Sequence, residues 1–341
     1  VPSDRLRHCW RVDKNPRRGT FPYDGGTEVK LEAREKVGYG FVKWTGDVDN
    51  IDNFKDAETT IIMEGNYEIT ANFEEEGAVT ITDPNLEAAI REEIDIPEDT
   101  IYPSDLKGIE KLEASGQGIT DLTGLEYCTG LTELYLYANQ IDDVSPVANL
   151  TSLGELYLSG NPISDISPLA NLTSLGELYL SGSQISDISS LASLTSLGEL
   201  YLSGNQISDI SSLASLTSMT ELNLSGNQIS DISPLANLTS LTYLSLSSNQ
   251  IRDISPLASL TSLGDLSLGG NQISGVSPVA NLTSLTLLNL SDNRISDIEP
   301  LVDNPGLSQG DKVYLLNNPL SSSSISTYIP RLEARGVIVE Y

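Results

Sequence analysis

Catalysis by a hydroxyl or thiol nucleophile needs a neighbouring base, usually histidine, and this sequence contains a single histidine, His8. His8 lies in an irregular basic stretch, residues 1–20, with no serine or carboxylate partner in a recognisable motif. The sequence also lacks the GxSxG, HExxH, P-loop and GxGxxG patterns in a fitting context. Because no base can activate the many serine and threonine hydroxyls, we expect no enzymatic activity.

A metal site is the second chemistry to consider, since aspartate recurs at one position every 22 residues. The aspartates are Asp143, Asp165, Asp187, Asp209, Asp231, Asp253 and Asp297, and Gly275 interrupts the series. Calcium binding requires several oxygens that converge on one point, and one carboxylate per turn supplies too few. The pattern favours capping of turns and solubility, so we expect no metal and no cofactor.

Tyrosine and glutamate recur at the same 22-residue interval and form two columns, sets of residues at equivalent positions in successive repeats. The tyrosine column comprises Tyr135, Tyr157, Tyr179 and Tyr201, and the glutamate column comprises Glu133, Glu155, Glu177, Glu199 and Glu221, continued by Tyr243 and Asp265. Tyrosine offers a large rigid contact area with a polar tip, which suits an interface. Stacked carboxylates repel one another unless they are solvated or paired, so a basic partner would relieve the repulsion. We predict a partner-binding stripe from the four tyrosines and five glutamates of these columns, together with Tyr137 and Tyr243.

A structural explanation competes with this prediction. Near-identical repeats arise by duplication, so a column can be inherited without selection for binding. Aromatic side chains on neighbouring strands also stabilise a sheet by packing on one another. If the array were a passive spacer, Tyr157→Ala and Glu177→Lys would leave binding unchanged.

The residues that position these columns belong to an internal repeat with the consensus LxxLxLxxNxI. In the copy that begins at Leu150, the leucines at 153, 156 and 158 and Ile163 are expected to point inward, and the LxL alternation marks a short strand. One repeat cannot bury its own apolar face, so successive repeats must stack into a parallel sheet with strands about 4.8 Å apart. The strands are expected on the concave face of the resulting solenoid.

Two further positions predict how each turn closes. An asparagine follows the LxL core in almost every copy, where it should bond backbone groups of adjacent turns, and Ser183 replaces it once. Ser183 should therefore be a local weak point. On the opposite wall, Ser167 and Pro168 have the order of an N-cap and a first helical residue, so a short helical or 3₁₀ turn should begin there and carry Leu169 and Leu172 inward.

Charge narrows the range of partners. The 19 basic and 48 acidic residues give a net charge of -29, which disfavours nucleic acid and anionic membranes and favours basic proteins. Such a surface resists self-association, so a monomer is expected.

Cys9 and Cys128 are too far apart in sequence to indicate a disulfide framework. No apolar run is long enough to span a membrane, and the first residue, Val1, suggests a piece of a longer protein.

The repeat LTSLGELYLSGNPISDISPLAN (150–171) resembles the 22-residue leucine-rich repeats of the bacterial internalins. The resemblance covers roughly residues 78–341. It implies an α/β leucine-rich-repeat solenoid with a parallel sheet on the concave face, short helical or 3₁₀ turns on the convex face, and capping structures at both ends. VTITDPNLEAAIREEIDIPEDTIYPSDL (79–106) is similar to the family's helical N-terminal cap, and Ile325, Tyr328, Ile329 and Leu332 lie at helical spacing near the far end.

Three β-type runs precede the solenoid, at 25–33, 39–47 and 59–74. With Trp44, Gly46 and the closing TANFE, they resemble the internalin B-type repeat, a small spacer module of bacterial surface proteins. The expected division is an irregular basic segment at 1–20, a β-repeat module at 21–77, a helical cap at 78–108, about ten leucine-rich turns at 109–320, and a C-terminal cap at 321–341.

The resemblance implies a non-enzymatic adhesion module of an extracellular or cell-surface protein that binds a protein or glycan on its concave face. The family's ligand-contacting residues differ between members, so none is transferred to this chain. Two alternatives stay open. Similar repeats occur in an intracellular phosphatase regulatory subunit, which would make the chain a regulatory scaffold, although the N-terminal β module disfavours this. The array could also be a passive spacer or accessory domain of a larger protein.

Overall fold

The computed structural model describes residues 23–33 and 37–341, which form two compact units. The first unit contains the described residues up to Thr80 together with Ile96–Gly108, and the second contains Ile81–Asp95 and Ile109–Tyr341. The predictions for residues 1–20, including those for His8 and Cys9, lie outside the described residues.

Within the described residues the strands are β1 Thr27–Glu32, β2 Tyr39–Gly46, β3 Glu58–Met63, β4 Ile69–Glu75, β5 Lys111–Glu113, β6 Glu133–Tyr135, β7 Glu155–Tyr157, β8 Glu177–Tyr179, β9 Glu199–Tyr201, β10 Glu221–Asn223, β11 Tyr243–Ser245, β12 Asp265–Ser267, β13 Leu287–Asn289, β14 Lys312–Tyr314 and β15 Ile338–Glu340. The α-helices are α1 Pro84–Ile94, α2 Pro103–Leu106, α3 Glu299–Asp303 and α4 Ile329–Glu333. Short 3₁₀ helices occupy Leu125–Tyr127, Ser145–Val147, Ser167–Asn171, Ser189–Ser193, Ser211–Ser215, Ser233–Asn237, Ser255–Ser259 and Ser277–Asn281, and Ser324–Tyr328 is a π-helical turn.

The first unit is built from two antiparallel strand pairs, β1 with β3 and β2 with β4. The run predicted at 59–74 divides into two strands, because the turn through Gly65 lets β3 and β4 pair with different partners. The core includes Leu31, Trp44 and Ile61, and the Trp44 indole N–H donates to the Asp56 carbonyl at 2.8 Å. The expected small β domain is thus present.

The second unit is a leucine-rich-repeat solenoid in which β5 to β15 form one parallel sheet in sequence order. Each strand has one inward-pointing aliphatic residue between two residues that point outward, as in Glu155-Leu156-Tyr157. Leu153, Leu156, Leu158 and Ile163 are fully buried, as predicted. We call the outward surface of this sheet the strand face.

The asparagine column lies inside the solenoid and links adjacent turns, and we call it the asparagine ladder. The Asn161 Nδ2 donates to the carbonyl of Leu136 at 2.9 Å and to that of Leu158 at 2.8 Å, while its Oδ1 accepts the Ile141 N–H at 3.0 Å. The predicted bonding of neighbouring turns is confirmed. Ser183 is buried in the same column, and its hydroxyl has no hydrogen-bond partner within the described part of the chain.

Opposite the sheet, 3₁₀ helices begin at the predicted serine, and Leu169 and Leu172 are buried. The interpretation of Ser167 as the side-chain cap is wrong, since Asp165 provides the capping oxygen. Asp165 Oδ1 accepts the Ser167 N–H at 2.8 Å, and the other six aspartates of the column cap their own turns in the same way. Aspartate takes this role because its short carboxylate bonds the backbone two residues on.

Gly275 is the position at which this cap is missing, and its restoration is expected to stabilise the solenoid. A Cβ added at Gly275 would meet no atom within 4 Å, and the φ angle lies outside the left-handed region, so Gly275→Asp should be accommodated without strain. Hydrogen bonds from the Ser167 backbone and side chain hold the pKa of Asp165 below its usual range, and Ser189 does the same for Asp187. We expect Gly275→Asp to raise the melting temperature at neutral pH.

The gain should be present above the pKa of an unfolded aspartate, about 4, and should be lost as the pH falls through the lowered folded value. Thermal unfolding across this pH range measures the effect, and Gly275→Ala is the control because it removes the glycine without adding a carboxylate. A gain that persists at about pH 2, well below the unfolded pKa, or one that alanine reproduces in full, would contradict the capping explanation.

The two ends of the array carry additional elements. Asp83 caps α1 by accepting the N–H groups of Asn85 and Leu86, and its second oxygen accepts the Thr120 N–H at 2.8 Å. At the far end, α4 and β15 provide the predicted helix and strand. The π-helical turn before α4 changes which side chains face inward, so that Ser324 is buried and Ile325 is exposed. The domain limits at 78–108 and 321–341 stay predictions.

Candidate partner-binding face

The strand face brings the predicted tyrosines and glutamates together in register. Glu133, Glu155, Glu177, Glu199 and Glu221 occupy equivalent positions on β6 to β10, and Tyr135, Tyr157, Tyr179 and Tyr201 occupy the next outward position on β6 to β9. All nine side chains are half-buried. Tyr243 lies on β11 in the glutamate column. Tyr137 follows β6, is 49% exposed, and joins no ring stack within the described residues.

The four column tyrosines stack on one another to form what we call the tyrosine ladder. Their ring centroids are 4.7 Å apart between Tyr135 and Tyr157, 4.3 Å between Tyr157 and Tyr179, and 4.5 Å between Tyr179 and Tyr201. The Tyr243 ring continues the series at 6.5 Å from Tyr201. Because each inner ring is sandwiched by its neighbours, the ladder presents ring edges to the outside.

Each ladder hydroxyl also donates to the glutamate of the following turn. Tyr135 bonds Glu155 at 2.7 Å, and Tyr179 bonds Glu199 at 2.5 Å. Equivalent bonds join Tyr157 to Glu177 and Tyr201 to Glu221. Burial raises the pKa of Tyr157, Tyr179 and Tyr201, and the accepting carboxylates raise it further. Each glutamate after Glu133 therefore accepts a hydrogen bond from a tyrosine of the same protein. The glutamate column does not need a cation from a partner to satisfy its carboxylates.

Lys111 completes the pairing at the first turn, and the sequence pattern alone did not single it out. It occupies the glutamate column on β5, where its Nζ lies 2.7 Å from Glu133 Oε2 and 4.6 Å from the centroid of the Tyr135 ring. The hydrogen bond between them raises the pKa of Lys111 and lowers that of Glu133. The sequence does contain a signal for this pair, because Lys111 precedes Glu133 by one repeat length and therefore lies opposite it on the neighbouring strand.

Residues 23–33 and 37–341 offer little other chemistry. In these ranges no group of three or more His, Cys, Asp or Glu side chains could hold a metal ion. Cys128 is a buried free thiol whose pKa burial raises to about 12, which makes it a poor nucleophile. No helix in the same ranges is long and apolar enough to cross a membrane.

Comparison with known proteins extends these observations. A leucine-rich-repeat family with two copies per unit matches residues 151–193, 195–237, 239–281 and 265–303, and the divergent InlB B-repeat domain family matches residues 18–77. The crystal structure of the internalin InlF from Listeria monocytogenes is 35% identical and superposes with a TM-score of 0.61 over 76% of this chain and 91% of that one. The chain belongs to the internalin-like leucine-rich-repeat proteins.

Two further structures resemble this internalin-like chain. Internalin C2 of Listeria monocytogenes is 36% identical, with a TM-score of 0.51 over 69% of this chain and 93% of that one. The Leptospira interrogans leucine-rich-repeat protein LIC12759 is 23% identical, covers 70% of this chain and 73% of that one with a TM-score of 0.56, and shows the fold alone. No curated protein sequence matches the chain significantly.

Proposed function

We propose that this internalin-like chain is a non-enzymatic adhesion module of a bacterial cell-surface or secreted protein and that it holds a protein partner on the strand face. The observation that carries the proposal is the 35% identity to an internalin over 91% of that internalin's length. The divergent InlB B-repeat match at 18–77 adds support for an exported protein over an intracellular scaffold. Internalin-like repeat arrays are typically binding modules without enzymatic activity.

The tyrosine ladder suits a protein partner better than a glycan. Sugar rings bind proteins by lying flat against exposed aromatic faces, as other planar or cationic groups do. The inner faces of the tyrosine ladder are covered by neighbouring rings, and Lys111 lies over the Tyr135 ring at the first turn. Proteins, in contrast, can use polar groups, ring edges and charge, all of which this surface presents.

One observation favours a passive spacer as the second candidate. The tyrosine ladder is stacked and hydrogen-bonded within the protein, so its regularity has a structural explanation that needs no partner. A spacer would have the same ladder and would bind nothing.

A binding screen with the intact 341-residue chain separates these possibilities. The immobilised chain is exposed to a panel of purified protein ectodomains and to a glycan array, with binding measured at increasing protein concentration. We expect saturable binding to at least one ectodomain and none to glycans. Saturable binding to glycans alone would overturn the choice of a protein partner, and the absence of saturable binding in both arms would favour the spacer.

A further inference from the structure

The polar groups of the strand face fall into two sets that differ in whether they have partners. On β6 to β10, each of the five glutamates accepts at least one hydrogen bond from a tyrosine hydroxyl. On β11 and β12, the hydroxyl of Tyr243, the carboxylate of Asp265 and the hydroxyl of Ser267 have no partner among the described residues. The first set is satisfied within the fold, and the second is available to a ligand.

Asp265 lacks a donor because the sequence changes one turn earlier. In the ladder, a tyrosine hydroxyl bonds the glutamate 20 residues further along, as Tyr179 bonds Glu199. The residue 20 positions before Asp265 is Ser245, which is buried and pairs with the hydroxyl of Ser225. A serine there cannot reach the next turn as a tyrosine does, so the Asp265 carboxylate lacks the donor that each column glutamate after Glu133 has.

The surroundings of Asp265 make this missing bond costly. In the sheet register Asp265 lies between Tyr243 on one side and Leu287 on the other, and it is half-buried. Burial raises the pKa of Asp265, because the charged form has lost part of its hydration. A partly desolvated carboxylate with no donor is a group that a positive charge would stabilise, and such groups cluster at functional sites.

Aromatic and hydroxyl groups beside the carboxylate define the chemistry of the site. A ring face within about 6 Å attracts a cation, and hydroxyl oxygens accept the remaining N–H bonds of an ammonium or guanidinium group. One face of the Tyr243 ring is directed toward Tyr201, and no second aromatic ring of the described chain stacks on it. Ser267 lies two residues after Asp265 and therefore points to the same face of β12.

The protein itself supplies an example of this recognition. At the other end of the same column, the Lys111 ammonium binds the Glu133 carboxylate and lies over the Tyr135 ring. A carboxylate, a tyrosine ring and a cation thus already meet once on this surface.

We propose that Asp265, together with the Tyr243 ring and the Ser267 hydroxyl, binds one lysine or arginine side chain of the protein partner. The site rests on the proposed function, because it assigns an anchor point for a protein held on the strand face. The net charge of -29 draws a basic partner to the surface, and Asp265 provides the one carboxylate of its column that no tyrosine in the described chain already bonds.

The test compares two isosteric substitutions that each remove one negative charge from the same column, Asp265→Asn and Glu177→Gln. Both are made in the intact chain, and the probe is a fluorescent hexa-arginine peptide whose binding is measured by anisotropy at physiological salt. We expect Asp265→Asn to weaken binding about tenfold and Glu177→Gln to weaken it less than about twofold, since only Asp265 lacks an internal donor. An equal loss of peptide affinity in the two variants would mean that only the overall negative charge matters, and it would overturn the proposal.

Thermal unfolding gives a second readout that a merely structural carboxylate would not produce. Because the raised pKa of Asp265 reflects a disfavoured charge, Asp265→Asn should raise the melting temperature of the free protein at neutral pH. The difference from wild type should shrink as the pH falls and Asp265 takes up a proton. A lower melting temperature for Asp265→Asn would mean that the carboxylate stabilises the fold, and would contradict the assignment.

Failure of this site is distinguishable from failure of the proposed function. If the wild-type chain binds a purified ectodomain while the two variants bind hexa-arginine equally, the Asp265 site is wrong and the adhesion function stands. If Asp265→Asn alone loses the peptide while no ectodomain or glycan binds the wild-type chain, the cation site is present and the adhesion function is wrong.

Discussion

Asn227→Ser is expected to destabilise the repeat array by about 3 kcal/mol, the largest loss that a single polar substitution should cause here. Asn227 Nδ2 donates to the carbonyls of Leu202 and Leu224, each at 3.0 Å, and its Oδ1 accepts the Ile207 N–H at 3.0 Å. Serine is too short to reach these buried groups, so they would lose their partner. Denaturant unfolding of the two proteins measures the difference.

Ser183→Asn is the reciprocal change and should stabilise the array by about 1–2 kcal/mol. The Ser183 hydroxyl is buried without a partner, and in the described residues no group accepts the Ile163 N–H that an asparagine at 183 would bond. Neighbouring repeats stabilise one another in a solenoid, so the substitution should make the denaturant unfolding transition steeper and move its midpoint to a higher denaturant concentration. A destabilising Ser183→Asn would show that the backbone at this turn has moved away from the ladder geometry.

Tyr179→Ala should cost about 3 kcal/mol, since it removes two ring stacks, part of a buried aromatic surface and one hydrogen bond. Tyr179 stacks on Tyr157 at 4.3 Å and on Tyr201 at 4.5 Å, and it donates to Glu199. Tyr179→Phe retains the stacks and should cost only about 1 kcal/mol. Equal losses for alanine and phenylalanine in denaturant unfolding would show that stacking contributes nothing, and the ladder would then be an inherited pattern.

The contribution of the ladder tyrosines to stability affects how binding to the strand face can be mapped by mutation. A protein whose ladder tyrosines are all changed to alanine would lose stability as well as any contact area, so a loss of binding could not be assigned to either cause. Tyrosine-to-phenylalanine changes, and substitutions outside the ladder, avoid the ambiguity.

The solenoid could be predicted from sequence because its rules repeat. A period of 22 residues places Leu156, Leu178 and Leu200 in register, and the requirement to bury one aliphatic residue per strand fixes the direction of each side chain. The asparagine ladder follows from the same periodicity, because a polar residue next to an apolar core must bond backbone groups.

Cross-turn bonds between side chains could not be predicted in the same way. The reach of Tyr157 to Glu177, and not to Glu155 on its own strand, depends on rotamers that a repeat consensus does not specify. The sequence predicted that the aspartate column caps turns, but it also suggested Ser167 as the cap of the same 3₁₀ helix, and only the hydrogen bond from the Ser167 N–H to Asp165 decides between them. The distinguishing feature of Asp265 is a missing donor at Ser245, on a different turn, and a repeat consensus does not reveal it.

The most direct test of partner binding on the strand face compares one substitution on each wall of the solenoid. Ser267→Arg places a bulky cation on the strand face beside Asp265, and Asn281→Arg places the same side chain at an exposed end of a 3₁₀ helix on the opposite wall. The affinity of each variant for the purified ectodomain found in the screen is measured at equilibrium. If the strand face holds the partner, Ser267→Arg should weaken binding at least about tenfold and Asn281→Arg by less than about twofold. Loss of binding with Asn281→Arg and retention with Ser267→Arg would contradict it.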